Sequence, residues 1–149
     1  MIAVIQRTYS EAKVIVDNSI TGKISKGLVI LLGVNKGDNE NDADTLAEKI
    51  VNLRIFNDEK GKMNLSLLDI AGETLVISQF TLSGNCKKGR RPGFDQAEKP
   101  QRARELYLYF HEKIKKLGVP SETGIFGADM KVDFVNDGPV TFVLDTDKL

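Results

Sequence analysis

The chain has 149 residues, of which 41% are hydrophobic and 28% charged, and its 21 basic and 21 acidic residues give a formal net charge of zero. This balance is typical of one soluble domain, predicted over residues 1–149, and it argues against a protein that coats nucleic acid by bulk charge. Cys86 is the only cysteine, which excludes an intrachain disulfide and favours a reducing, cytoplasmic location.

The first 35 residues are predicted to form an antiparallel meander of about four strands. Apolar residues alternate or run together at 2–5, 12–16, 20–24 and 28–34, as strands require. The predicted turn signals are Asp17-Asn18, Thr21-Gly22-Lys23 and Lys26-Gly27. The N-terminus lacks the basic leader and cleavage site of a signal peptide, and no apolar run approaches the roughly 20 residues of a membrane helix. We therefore expect no membrane association.

Two amphipathic helices are predicted further along the chain. The first carries Leu46, Ile50 and Leu53 at helical spacing, with Asp42 or Asp44 as its N-cap. The second runs from Gln101 to Leu117 and ends at Gly118; its apolar stripe consists of Ala103, Leu106, Phe110, Ile114 and Leu117.

The segments around these helices predict further strands and one long loop. Residues 56–64 are typical of a hairpin, residues 75–80 of a buried strand, and residues 83–100 of an irregular, functional loop. Two last strands, at 131–135 and 140–144, are predicted to be joined by the tight turn Asn136-Asp137-Gly138-Pro139. The whole pattern predicts a single-domain α+β fold of mostly antiparallel strands with two main helices.

Charge is distributed unevenly along the chain. Residues 38–59 carry seven acids against two bases, a net of −5, whereas residues 86–116 carry ten bases against four acids, a net of +6. Such segregation can orient a polyanion over one face of the protein, or it can be an ordinary solvated loop and helix face.

The residue types present exclude several chemistries. His111 is the only histidine, and no set of cysteine and histidine has metal-ligand spacing, so we expect no metal. No phosphate-binding or dinucleotide-binding glycine motif occurs, so we expect no cofactor. His111 precedes Glu112 and Lys113 on the predicted second helix and is expected to face solvent, which disfavours a Ser-His-Asp triad.

Two short segments remain as candidate sites. Ser78-Gln79-Phe80-Thr81-Leu82 places hydroxyl and amide groups at the end of an apolar strand, where they can meet a ligand or merely satisfy local backbone groups. Asn136-Asp137-Gly138-Pro139-Val140-Thr141 contains an X-Pro bond, which can be cis, preceded by a glycine that a ligand can approach closely. The alternative for this second segment is a plain hairpin turn.

Together these segments resemble the D-aminoacyl-tRNA deacylase family, whose signatures are an SQFTL stretch and a C-terminal NxGPVT stretch. The resemblance covers the whole chain, and its other matching pieces are Ala3–Arg7, Leu31–Val34, Arg54–Phe56, Gly61–Asn64 and Thr123–Met130. One departure is Gly93 in Arg91-Pro92-Gly93-Phe94, where relatives often carry serine. The resemblance implies a barrel-like sheet in a deacylase-like fold.

The resemblance also implies a homodimer with shared active sites that acts on the acceptor end of aminoacyl-tRNA. Gly138-Pro139 would be cis, with its two carbonyls in the partner's pocket, where they exclude an L side chain but admit D-aminoacyl and glycyl groups. Arg7 would brace this turn, Asn136 would belong to the same substrate-binding element, and Met130 would form part of the pocket wall.

For catalysis, the resemblance implies water activation assisted by a ribose hydroxyl of the terminal adenosine. Backbone N–H groups around Gln79, Phe80 and Thr81 would bind the amino acid and the developing oxyanion, while Ser78 and Thr81 position the substrate. A serine or threonine nucleophile needs an adjacent base, and the sequence offers no obvious one. Two other functions stay open, namely a non-catalytic RNA-binding module and a small-molecule esterase that uses Ser78 with His111.

Overall fold

Ten strands and two long helices make up the fold. The computed structural model describes all residues, 1–149. The strands are β1 (Ile2–Thr8), β2 (Ala12–Val16), β3 (Ser19–Ile24), β4 (Gly27–Gly33), β5 (Phe56–Asn57), β6 (Met63–Leu65), β7 (Glu73–Ser78), β8 (Ser121–Thr123), β9 (Lys131–Asp133) and β10 (Thr141–Asp145). The helices are α1 (Glu40–Asn52) and α2 (Pro100–Lys116), and 3₁₀ turns lie at Phe80–Ser83 and Thr146–Lys148.

The strands form one large sheet and two small ones. The five-stranded sheet has the order β10-β1-β4-β7-β8, in which β1 pairs antiparallel with β10 and β4, and β7 pairs parallel with β4 and β8. The three-stranded sheet β3-β2-β9 and the pair β5-β6 are antiparallel throughout. The prediction of an α+β fold with mostly antiparallel strands and two main helices is therefore confirmed.

The central strand β4 of the large sheet is buried on both faces. Leu28, Ile30 and Leu32 of β4 belong to the larger apolar cluster, which also holds the buried stripes of α1 and α2. Val29 of β4 lies between them in sequence and joins a second cluster, with residues of β2, β3 and β7. Because successive side chains of a strand point to opposite faces, the helices cover one face and the small sheet covers the other. Near the C-terminal ends of these strands, Leu32 of β4 packs in the larger cluster and Ile77 of β7 packs in the smaller one.

The N-terminal strands differ from the predicted meander. β2 and β3 leave the large sheet and pair with each other, β2 also pairs with β9, and β1 therefore meets β4 directly. Thr21-Gly22-Lys23 lies inside β3 and is not a turn. A Cβ at Gly22 would lie only 2.3 Å from the Thr123 carbonyl oxygen. This glycine therefore marks close packing of two strands, which local sequence cannot distinguish from a turn.

The cap of α1 also differs from the prediction. Asn39, and neither Asp42 nor Asp44, is the N-cap, and its side chain accepts a hydrogen bond from the Asn41 N–H at 2.9 Å. Asp42 instead reaches back to accept from the Asn39 N–H at 2.9 Å, which completes a capping box. α2 ends as predicted, with Gly118 directly after its C-cap residue Leu117.

The last two strands do not form the predicted hairpin. β9 pairs with β2 in the small sheet, whereas β10 pairs with β1 at the edge of the large sheet. The segment 134–140 therefore crosses from one sheet to the other, and Val135 lies outside the strand that the sequence predicted to include it. No helix has the length and apolar character needed to cross a membrane.

Candidate functional site

A cavity of about 560 Å³ opens where β7 ends. Ser78, Gln79 and Phe80 line one part of it, the start of α2 another, and residues 126–130 a third. Eleven of its seventeen lining residues are hydrophobic. A mostly apolar wall with a few polar groups is typical of a site for a small ligand or for one end of a larger one.

Backbone hydrogen bonds fix the SQFTL segment at the rim of this cavity. The Gln79 N–H donates to the Leu32 carbonyl at 2.8 Å and extends the pairing with β4. It is therefore not free to bind a ligand, contrary to what the family resemblance implies. The 3₁₀ turn follows at once, and its first bond runs from the Leu82 N–H to the Gln79 carbonyl at 3.3 Å. Because the first N–H groups of a helical turn have no internal acceptor, those of Phe80 and Thr81 stay available.

The hydroxyl groups of this segment have no base beside them. The Gln79 side-chain amide donates to the Thr81 hydroxyl, and the Ser78 hydroxyl makes no hydrogen bond within the chain. Thr81 is exposed and lies beside the cavity without lining it. Neither hydroxyl is therefore arranged as an activated nucleophile.

The prediction that His111 faces solvent is wrong. Its side chain is largely buried, with Nε2 3.0 Å from the Ser121 carbonyl and Nδ1 3.6 Å from a Glu112 carboxylate oxygen. His111 thus links α2 to β8 and does not line the cavity. The register of α2 turns it towards the sheet, whereas its charged sequence neighbours suggested the opposite.

Sequence reasoning missed several residues of the cavity wall. Tyr107 of α2 is one of them, and its hydroxyl donates to the Val76 carbonyl at 2.9 Å. Burial raises the pKa of Tyr107 to about 12, so the hydroxyl keeps its proton at neutral pH. Its hydrogen bond holds α2 against β7. Two carboxylates, Glu98 and Asp129, also reach the lining. The only sequence signal for these residues is that Gly127-Ala128-Asp129 adjoins Met130, which was predicted to form part of the pocket wall.

A second element, away from the cavity, surrounds the Gly138-Pro139 turn. The Gly138–Pro139 peptide bond is cis, and Gly138 has a φ of +113°. Arg7 is 3% exposed, and its Nη2 donates to an Asp137 carboxylate oxygen at 2.7 Å. Its Nη1 donates to the Ile55 carbonyl at 2.8 Å and to the Asn57 side chain at 3.2 Å. Arg7 therefore ties the turn to the β5 region.

Asn136 fastens the start of the same turn. In the amide orientation that satisfies both ends of its side chain, the nitrogen donates to the Val140 and Arg7 carbonyls at 3.0 and 3.1 Å. The oxygen accepts from the Thr141 hydroxyl at 2.9 Å. With these internal bonds, the Asn136 side chain holds the backbone of the turn in place.

The predicted site residues thus fall into two groups within one chain. Ser78, Gln79, Phe80 and Met130 line the cavity, with Thr81 beside it. None of Arg7, Asn136, Gly138 and Pro139 lines that cavity. One chain alone does not bring the two elements together.

The comparisons with known proteins agree over nearly the full length. A sequence model of the family described as D-Tyr-tRNA(Tyr) deacylase matches residues 4–145. The D-aminoacyl-tRNA deacylase of Geotalea uraniireducens is 64% identical over 148 residues, which cover 99% of this chain and 95% of that protein.

Two solved structures share the fold. One, described as a c-Myc DNA unwinding element binding protein, superposes with a TM-score of 0.91 at 38% identity, covering 97% of this chain and 98% of the other. A probable eukaryotic D-amino acid tRNA deacylase gives a TM-score of 0.81 at 17% identity, with 96% and 98% covered. At that identity the second structure supports the fold alone.

Gly138→Ala is expected to destabilise the turn. The new Cβ would lie 2.7 Å from Val140 Cγ2 and 3.0 Å from Val140 N, at a φ that L residues rarely adopt. Gly118→Ala is the matched control, because Gly118 also has a positive φ, of +89°, but nothing lies within 4 Å of its Cβ position. Backbone strain should cost each variant about 1 kcal/mol, and overpacking should cost Gly138→Ala about 1–3 kcal/mol more. Equal urea unfolding free energies for the two variants would contradict the close contact at Gly138.

Proposed function

The chain belongs to the D-Tyr-tRNA(Tyr) deacylase family, and on that premise we propose that it hydrolyses the ester bond of D-aminoacyl-tRNA to a free D-amino acid and tRNA. The observation that carries the proposal is the unbroken SQFTL segment, which lines an apolar cavity through Ser78, Gln79 and Phe80. The exposed lone Cys86 agrees with a reducing compartment, and we place the enzyme in the cytoplasm.

The backbone at the start of the 3₁₀ turn stabilises charge during the reaction. When water adds to the ester carbonyl, negative charge develops on the carbonyl oxygen. The Phe80 and Thr81 N–H groups have no internal acceptor, and β7 and the turn hold them in place before the substrate arrives. Donors that are fixed in advance need no reorganisation when the charge forms. The Gln79 N–H takes no part, because it donates to Leu32.

No side chain of the cavity is arranged to form an acyl-enzyme. The Ser78 and Thr81 hydroxyls have neither an imidazole nor a carboxylate as hydrogen-bond partner, and His111 is committed to Ser121. We propose that water attacks directly, assisted by the ribose hydroxyl next to the ester. The carbon–oxygen bond to the ribose then breaks, and the released ribose oxygen takes up a proton. Ser78 and Thr81 position the substrate.

We propose that a second copy of the chain completes the site. The Gly138-Pro139 turn does not line its own cavity, yet Arg7 and Asn136 hold it firmly. Next to the turn, the edge strand β10 exposes Val143, with 68% of its surface accessible, and also exposes Phe142. Exposed apolar residues that cluster on an edge strand mark interaction surfaces. A homodimer built on this surface would carry each turn into the cavity of the other subunit.

In such a dimer, the site distinguishes D-aminoacyl from L-aminoacyl groups by excluding the L side chain. Backbone carbonyls offered by the partner subunit's Gly138 and Pro139 would meet the side chain of an L-aminoacyl group, whereas a D side chain points away from them. Glycyl-tRNA has no side chain to exclude and is a second substrate. Discrimination therefore comes from a repulsive contact with the wrong substrate.

A basic loop, whose tip is residues 86–92, supplies the contact with the rest of the tRNA. Lys87, Lys88, Arg90 and Arg91 are exposed and take part in no ion pair within the chain. Contacts with phosphates carry little sequence information, so many tRNAs should be accepted. Such binding weakens as salt concentration rises.

The proposal is tested by single-turnover hydrolysis of matched D-, L- and glycyl-tRNA. We expect D-aminoacyl-tRNA and glycyl-tRNA to be hydrolysed, and L-aminoacyl-tRNA to react on the order of 100-fold more slowly, which corresponds to an exclusion cost of about 3 kcal/mol. Binding of all three tRNAs without hydrolysis would instead identify a non-catalytic RNA-binding module. Hydrolysis of simple esters that is abolished by His111→Ala would identify the esterase.

Thr81→Ala separates direct attack by water from a threonine nucleophile. If Thr81 only positions the substrate, kcat for D-aminoacyl-tRNA should fall less than about 10-fold, whereas loss of a nucleophile commonly costs on the order of 10⁴-fold or more. Ser78→Ala is the parallel test for the other hydroxyl. A covalent aminoacyl-enzyme trapped by acid quench in the wild-type protein, and absent from either variant, would overturn the direct mechanism.

A further inference from the structure

Two exposed aromatic rings stand together at the rim of the cavity. The Phe80 and Phe94 ring centroids are 5.0 Å apart, with the ring planes inclined by 64°. Phe80 lines the cavity, yet 59% of its surface is accessible, and Phe94 is 38% accessible. The pair buries one edge-to-face contact and leaves apolar ring surface open beside the site.

The base of the basic loop lies beside Phe94. Asn85 and Gly93 form an antiparallel bridge, with reciprocal N–H to carbonyl bonds of 2.7 and 3.0 Å. An ideal Cβ at Gly84, just before the bridge, would lie 3.2 Å from Phe94 Cε1. The bridge therefore holds the base of the loop against Phe94, and the tip, residues 86–92, is exposed.

The loop that carries Phe94 is positively charged, whereas Glu98 and Asp129 bring two carboxylates to the adjoining cavity. Residues 84–97 contain four bases and one acid, Asp95, a net of +3. Within the chain, none of the four bases forms an ion pair. Exposed aromatic rings among free cations are the combination by which proteins hold single-stranded nucleic acid, since rings stack on bases and cations meet phosphates.

We propose that Phe80 and Phe94 form a stacking platform for the unpaired base that precedes the terminal adenosine of tRNA, with the basic tip on the flanking phosphates. This inference rests on the proposed function, because it assumes that the aminoacyl end occupies the adjoining cavity. A terminal nucleoside in the cavity leaves the preceding nucleotide at its rim, where the rings stand.

Substrates of increasing length test the platform. The three substrates are a D-aminoacyl adenosine ester, a D-aminoacyl CCA trinucleotide and full D-aminoacyl-tRNA. Phe94→Leu keeps an apolar side chain but cannot stack on a base. It should raise KM for the trinucleotide and tRNA by about 5- to 100-fold, the range expected for one stacked base. It should leave kcat, and KM for the adenosine ester, unchanged. Phe94→Trp should restore the wild-type KM.

A second measurement does not depend on catalysis. The chain contains no tryptophan, so Phe94→Trp introduces a single indole at the platform, whose emission can be excited apart from that of the three tyrosines. A CCA trinucleotide that carries no amino acid should quench the tryptophan emission on binding, whereas adenosine alone should not. If wild-type protein fails to hydrolyse D-aminoacyl-tRNA, the proposed function fails, and this titration still decides whether the platform binds a base.

Three results would overturn the inference. The first is an unchanged KM of Phe94→Leu for the trinucleotide and tRNA, and the second is emission of Phe94→Trp that the trinucleotide does not alter. The third is an equal loss on all three substrates together with a changed mass in solution, which would make the ring pair a contact between subunits. Leu108→Ala, which removes a comparably exposed apolar side chain outside the cavity, is the control and should alter none of these readouts.

Discussion

The arrangement of the site depends on the hydrogen bonds that the buried guanidinium of Arg7 donates. Its three hydrogen bonds join β1 to the Ile55 carbonyl, to Asn57 and to the Asp137 carboxylate. Asp137 immediately precedes Gly138, so the position of the turn follows from the position of β1. A buried charge that loses its partner costs several kcal/mol, which favours this one arrangement of the crossing segment. The turn is therefore presented as a rigid feature of the surface.

The cavity depends on a different constraint, the parallel pairing of β4 with β7. Gln79 continues that pairing by one residue, and the 3₁₀ turn begins directly after it. This abrupt change leaves two backbone N–H groups at the rim of an apolar cavity whose wall includes Tyr107. Both elements are built mainly from backbone, and neither presents an activated side chain. In the proposed mechanism the protein supplies shape and fixed dipoles, while the substrate supplies the hydroxyl that assists water.

Local sequence predicted the parts of this fold whose periodicity is strong. β4, β7 and α2 were found because their burial follows the spacing of a strand or a helix, and the SQFTL segment was located at the end of its strand. The route of 134–140 was not predictable, because strands that follow each other in sequence usually pair. The predictions of a turn at Gly22 and of an exposed His111 were wrong because β8 sets the environment of both residues. This strand is distant in sequence from Gly22 and only three residues long. The cavity wall from α2 was missed because core-facing and cavity-facing residues share one helical stripe.

The central claim is that the cavity of one subunit works with the Gly138-Pro139 turn of another, and subunit mixing tests it most directly. Ser78→Phe fills the cavity, Gly138→Ala distorts the turn, and each variant alone should lose most of its activity. After equimolar subunit exchange, half of the dimers are mixed and each has one intact site, so about a quarter of wild-type D-aminoacyl-tRNA hydrolysis should return. Mixing Ser78→Phe with Ala128→Phe, two changes in the cavity wall, should restore nothing. A mixture of Ser78→Phe and Gly138→Ala that stays inactive after verified exchange would contradict the shared site.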